Sequence, residues 1–453
     1  MVRDELLPDE SRIFGWIEEV FRHGVRRPGY AADRWAEGWL QQQFRSFGLE
    51  RVRAEPVEMP YWEPRAASLL ATDARGATTE FACFALPFAV PGELEADLVA
   101  FDETSPERVR GAIALYDAPL MRVPHSVYAG LATWHYDPEG SFEGTRQILP
   151  FSRAMQDVTR PCTDAGAAGF IGALSDYPGD SSRYYVPYDG TRRDIRAVWV
   201  SGSDGRRLSE MLAAGAVRAR LSVEAETGTI NCYNIVGELP GADEETVIIG
   251  SHHDGPWTSA VEDGSGIALV LAQAAYWSRM PQAQRPHRLM FLLNSGHMAG
   301  GAGQASFVAS HRAELDRCVL EVHLEHAANE FSDEGGTPHA TGRPEARWWF
   351  TTRINRLEAA VRSAIEDEDL RRSFMLRPDV FGPKPTTDGA DFHLAGVPLV
   401  NYLTAPFYLF DEMDTLDKIH RPSLVPVTRA AIRIVESTAG VTASAMRADA
   451  VGG

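Results

Sequence analysis

From residue 230 onward, short apolar runs alternate with helix-patterned segments, and this alternation restricts the fold more than any other feature. Residues 246–250 (TVIIG), 288–293 (RLMFLL) and 318–325 (CVLEVHLE) are apolar enough for strands buried on both faces. Residues 265–277, between the first two runs, are apolar on most faces and give a buried helix. Such a rhythm predicts a three-layer α/β sandwich with a mostly parallel, doubly wound central sheet. In that architecture sites form at the carboxyl ends of strands.

Upstream the texture differs. Residues 31–47 place Trp35, Trp39, Leu40 and Phe44 at helical spacing, with Gly48 as the stop. After Pro91-Gly92 come glycine-rich turns and short strand patterns at 111–116, 165–171 and 196–200, then a helical pattern at 204–214. The expected organisation is a discontinuous α/β domain, residues 1–90 and 226–453, interrupted by a β-rich insert at 91–225.

The 453 residues suffice for two or three cores. A net charge of −19 argues against nucleic acid and anionic membranes as partners. No run of eighteen apolar residues predicts a membrane span, and the opening residues show no secretory pattern. Cys83, Cys162, Cys232 and Cys318 lack C-x-x-C spacing and fit reduced thiols. A cytoplasmic protein acting on a small molecule is the expectation; the sequence leaves its oligomeric state open.

The chemistry-bearing residues follow the strand patterns. Gly250-Ser251-His252-His253-Asp254 ends the first, with His252 and Asp254 two apart and so on one side of an extended chain. An aspartate there can accept from the far nitrogen of a metal-binding histidine and fix its tautomer. Ten residues on, Glu262 and Asp263 open the buried helix at Gly264-Ser265-Gly266.

The stretch from His252 to Gly266 resembles, without a gap, the first metal motif of the zinc aminopeptidases, in their glutamate carboxypeptidase and transferrin receptor branch. Residues 231–240 (NCYNIVGELP) resemble the strand leading into that motif. Residues 387–398 (TDGADFHLAGVP) and 414–417 (DTLD) resemble the closing motifs. The resemblance implies a protease-associated domain for the insert. It makes His252 a ligand of the first metal, Asp254 its orienting partner, and Glu262 the bridging carboxylate in place of Asp. Glu325 matches a further ligand at the end of the third strand, with His326 as the alternative register. His253 and Asp263 are additional candidates.

The family pattern then breaks. Six residues beyond Phe291, where the family has its general-base glutamate, stands His297. Met298 and Phe410 occupy the two private ligand positions of the second metal. A thioether and a phenyl ring do not serve zinc as carboxylate and imidazole do. The resemblance therefore implies one divalent ion, zinc first and iron or manganese as alternatives, held by His252, Glu262 and Glu325. His297 is either the base or a ligand. The activity this implies is hydrolysis of an amide or related bond in a specialised small molecule. Its alternatives are a metal-dependent lyase or oxygenase on the same scaffold, or a non-catalytic binding relative.

Overall fold

The computed structural model describes residues 2–152, 157–334 and 337–449. The chain opens with helices α1 (Glu10–Arg22) and α2 (Ala31–Ser46). In α1, Ile13, Trp16, Ile17 and Val20 recur at helical spacing and are buried, while the Asp9 carboxylate accepts the Arg12 N–H and caps the first turn. In α2, Leu40 and Phe44 enter the core. Trp35 and Trp39 stay half-buried, stacked on one another with centroids 5.3 Å apart, and His23 covers Trp35 at 3.4 Å. Gly48 ends this segment with φ +80°, a conformation costly for any residue with a Cβ.

Next comes the long strand β1 (Glu50–Thr72), then β2 (Gly92–Ala100), β3 (Ile113–Asp117), β4 (Gly169–Leu174), β5 (Arg196–Ser201) and helix α3 (Gly202–Ala214). Strands β2 to β5 run parallel to their neighbours in that order. Strand β6 (Arg218–Leu239) pairs antiparallel with β1 from Thr72↔Arg218 to Glu50↔Glu238, and with β2 at its start. It is one unbroken strand, so position 225/226 falls inside it.

The rest of the chain gives β7 (Thr246–His252), α4 (Gly266–Arg279), β8 (Arg288–Asn294), α5 (Ala302–Ser310), β9 (Cys318–Leu324), β10 (Arg347–Thr351), α6 (Asn355–Asp367), β11 (Ser373–Leu376), α7 (Ala390–Leu394), β12 (Leu399–Thr404) and α8 (Leu424–Glu436). In the sheet they come after β6 in the order β8-β7-β9-β12-β10-β11. Strands β8, β7, β9 and β12 are mutually parallel, and β6 and β10 flank them antiparallel. Every residue of β7, β9 and β12 is buried, as the apolar runs required. Residues 266–277 of α4 are buried too, which explains its lack of a polar face. The fold is thus α/β with a large, mostly parallel central sheet, and β8, β7 and β9 bring three strand ends side by side.

Candidate metal centre

His252 is the last residue of β7. Its Nδ1 lies 2.9 Å from the Asp254 carbonyl oxygen, to which it donates, so the Nε2 lone pair faces inward. Asp254 therefore orients His252 through its main chain; its carboxylate Oδ1 stands 3.7 Å from Nδ1. That carboxylate instead accepts the N–H groups of His297 (3.1 Å) and Met298 (2.8 Å), pinning the turn after β8. The turn starts at Gly296 with φ +74° and presents the His297 ring stacked on His252, centroids 4.2 Å apart.

Glu262 comes in from the loop before α4. Asp414 accepts the N–H groups of Val261 and Glu262, each at 2.8 Å. Arg26, fully buried, donates to the carbonyls of His253 (3.2 Å), Thr258 and Ser259 (2.8 Å), with Glu262 O at 3.5 Å. One guanidinium thus ties together the loop between His252 and Glu262.

At the centre, His252 Nε2 is 3.4 Å and His297 Nε2 3.5 Å from Glu262 Oε1. His326 Nε2 is 2.6 Å from Glu262 Oε2, and its Nδ1 bonds the Thr404 carbonyl at 2.7 Å. Asp388, from the loop before α7, places Oδ2 2.9 Å from His297 Nδ1 and 3.5 Å from His252 Nε2. Yet His252 Nε2, both Glu262 oxygens, His326 Nε2 and Asp388 Oδ2 make no aligned hydrogen bond. Buried polar atoms in proteins are nearly always satisfied. Donor atoms this close and unpaired are arranged as ligands around a cation.

The spacing fits. Tetrahedral bonds of ~2.0–2.1 Å put ligand atoms about 3.3–3.4 Å apart; His252 Nε2 and His297 Nε2 stand 3.4 and 3.5 Å from Glu262 Oε1, and all three atoms lie within 4.8 Å of one another. Burial opposes ionisation of Glu262, but the His326 and His252 imidazoles outweigh it and hold the carboxyl well below its usual range. Burial likewise opposes charge on His326, yet Glu262 pushes it up to about 10.

Of the expected trio, His252 and Glu262 stand together with His297 beside them, and Glu325 Oε2 lies 3.8 Å from His326 Nε2. Glu325 shares a donor group with His323 and Asp388, while His326 turns to Glu262; both follow the last residue of β9. His253 points away, with Nδ1 3.0 Å from Asp33 and Nε2 on the Tyr233 carbonyl. Asp263 accepts the Gly266 N–H at 2.9 Å and the Ser251 hydroxyl, so it braces the start of α4. Met298 and Phe410 are buried packing residues, Phe410 lying 4.7 Å from the Tyr188 ring. Asp388 and Arg26 were not singled out in the sequence. Asp388 stood in a closing-motif match without a role, and nothing marks Arg26.

The centre opens into a cavity of about 340 Å³ lined by Tyr188, Asn294, Gln304, Lys384 and Asp388 among others. Side-chain exposure is 15% for His297 and 13% for Asp388 but only 2% for His252. These two residues form the accessible wall of the centre.

Residues 234–435, which carry all the donors above, match the family described as Peptidase family M28. This segment is similar to peptidase family M28. Carboxypeptidase Q of Xenopus laevis is 22% identical over 340 residues, covering 72% of this chain and 66% of that protein. The chain therefore spans about two thirds of that relative's length. The M28 peptidase precursor from Shewanella amazonensis superposes with TM-score 0.72 at 21% identity, over 95% of this chain and 93% of that one. A zinc aminopeptidase from Bacillus subtilis gives TM-score 0.68 at 16% identity, with 95% of each chain covered. These structures share the fold.

Proposed function

We propose that the protein is a metal-dependent hydrolase of an amide or related bond in a small molecule, with one tightly held divalent ion, zinc first, at His252, Glu262 and His297. The observation that carries this reading is the pair His252 Nε2 and Glu262 Oε1, buried 3.4 Å apart without hydrogen-bond partners, with His297 Nε2 3.5 Å from the same oxygen. Such an ion supplies a Lewis acid for the scissile carbonyl and lowers the pKa of the attacking water. His252 keeps its proton on Nδ1 against the Asp254 carbonyl, leaving Nε2 as donor. Asp388 Oδ2 stands 2.9 Å from His297 Nδ1 and faces it as a charged partner. Asn294 and Gln304 line the cavity and offer amide groups toward a polar substrate.

With Met298 and Phe410 in the second metal's positions, ordinary peptide bonds should be poor substrates, and a more specialised small molecule is the expected one. A second reading leaves His297 as the general base, favoured by its greater exposure to the cavity. The His297→Ala variant separates the two. As a ligand its loss abolishes metal retention after dialysis; as a base it leaves metal in place and removes turnover. Rapid hydrolysis of standard aminoacyl and glutamyl peptides by the unaltered protein would defeat the substrate part of the proposal.

A further inference from the structure

We infer that His323, Glu325 and Asp388 hold a second divalent cation, beside the first and weaker than it. This builds on the reading of the first ion given above, but His323 on β9 and Glu325 just past its end are no part of the first ion's set. Glu321, His323 and Glu325 alternate along that strand and are 0, 1 and 3% exposed. Three ionisable side chains in a row on a central strand need a reason, since uncompensated buried charge is costly.

The row is organised as a ligand and its support. His323 Nδ1 lies 2.8 Å from Glu321 Oε1, while its Nε2 is buried without a hydrogen-bond partner. A carboxylate behind one ring nitrogen, with the other left open, is how proteins fix a metal-binding histidine. Gly250 on β7 leaves room for the pair. A Cβ there would stand 3.3 Å from Glu321 Oε1 and 3.6 Å from His323 Nδ1. One donor atom each from His323, Glu325 and Asp388 lie within 4.8 Å of one another. Asn401 joins the two carboxylates: its Nδ2 donates to Glu325 Oε1 at 2.7 Å, and its Oδ1 accepts the N–H of Gly389, the residue after Asp388, at 3.1 Å.

One imidazole and two carboxylates suit zinc, manganese, iron or cobalt. Asp388 borders both donor groups, being 3.5 Å from His252 Nε2, so the second ion would lie beside the first. Because the His297 ring stands 2.9 Å from Asp388 Oδ2, the second cation competes with it for that carboxylate and binds less tightly. Its ligands are distinct from Met298 and Phe410, the residues that stand in the family's second-metal positions.

The test is calorimetric titration of the dialysed full chain with Mn²⁺. The expected result is one further binding event above the retained ion. His323→Ala removes it, and Glu321→Gln, which keeps volume and a hydrogen bond, weakens it by about 10–100-fold, with the first ion retained in both. No further event at saturating Mn²⁺, or one unchanged in both variants, overturns the inference. If the dialysed protein retains no ion yet the Mn²⁺ event depends on His323, the first-ion reading fails and this one stands.

Discussion

Replacing Arg26 by Met tests whether the metal loop is held from outside the M28 segment. The guanidinium is fully buried, and burial lowers its pKa to about 10 against the raising influence of Asp414, Asp263, Asp254 and Asp33, so it stays charged near neutrality. Methionine keeps much of the stem but removes the charge from four carboxylates and the donors from carbonyls of residues 253, 258 and 259. Removing one member of a buried charge cluster costs about 3–5 kcal/mol. With an unfolding entropy of ~2.1 cal/mol/K per residue, a cooperative chain of this length shifts by about 1 °C per kcal/mol. The melting midpoint should thus fall by about 3–5 °C, and the loop that fixes Glu262 relative to His252 should loosen. Differential scanning calorimetry measures the first effect and metal retention on dialysis the second. An Arg26→Met protein that melts within about 1 °C of the parent and retains its metal would refute the reasoning, since ~3 kcal/mol is the low end of the expected cost.

His297→Ala should lower turnover of the true substrate by at least about 100-fold, and His297→Glu should not create peptidase activity, because Met298 and Phe410 remain; steady-state assays check both. Glu345 is buried, and that burial, then Glu330, pushes its carboxyl up to about 7 from 4.5. The folded state holds that proton to higher pH than the unfolded chain, so stability present below pH ~4.5 is lost as pH rises through about 7, by roughly 3 kcal/mol in all. Glu345→Gln should therefore raise the melting midpoint at about pH 8.5 and leave it nearly unchanged at about pH 5; an equal rise at both pH values would contradict the assignment. Gly250→Ala should cost ~1–3 kcal/mol by overpacking against Glu321 and the Leu292 carbonyl, and abolish the weaker Mn²⁺ event, readable by melting and titration.

The strands were legible because runs such as TVIIG and RLMFLL allow only burial on both faces, and their observed ends lie within a residue or two of the runs. His252 and Glu262 were singled out by their resemblance to a family metal motif, and their donor atoms stand 3.4 Å apart. Trp35 and Trp39 show the limit of periodicity: it gives the face of α2 but not what covers it, and these rings stack on each other and on His23. Glu325 and His326 show another. The strand β9 ends at Leu324, and beyond a strand end the direction of each side chain is set by tertiary contact. His326 consequently reaches Glu262, and His297, 35 residues from Glu262 along the chain, completes the donor set. Arg26 acts on a loop more than 220 residues away, a pairing that local sequence pattern does not contain. Asp388 is brought in by the loop before α7, whose path depends on Asn401 holding the Gly389 N–H.

One divalent ion where His252, Glu262 and His297 converge is the claim on which the functional reading turns. The direct measurement is anomalous diffraction at the zinc edge from crystals of dialysed, zinc-loaded protein, with elemental analysis of the same sample. The expected result is about one retained equivalent and a single strong peak ~2.0–2.2 Å from His252 Nε2, a Glu262 oxygen and a His297 nitrogen. A peak elsewhere, or a stoichiometric zinc content with His297 turned away from the ion, would contradict it.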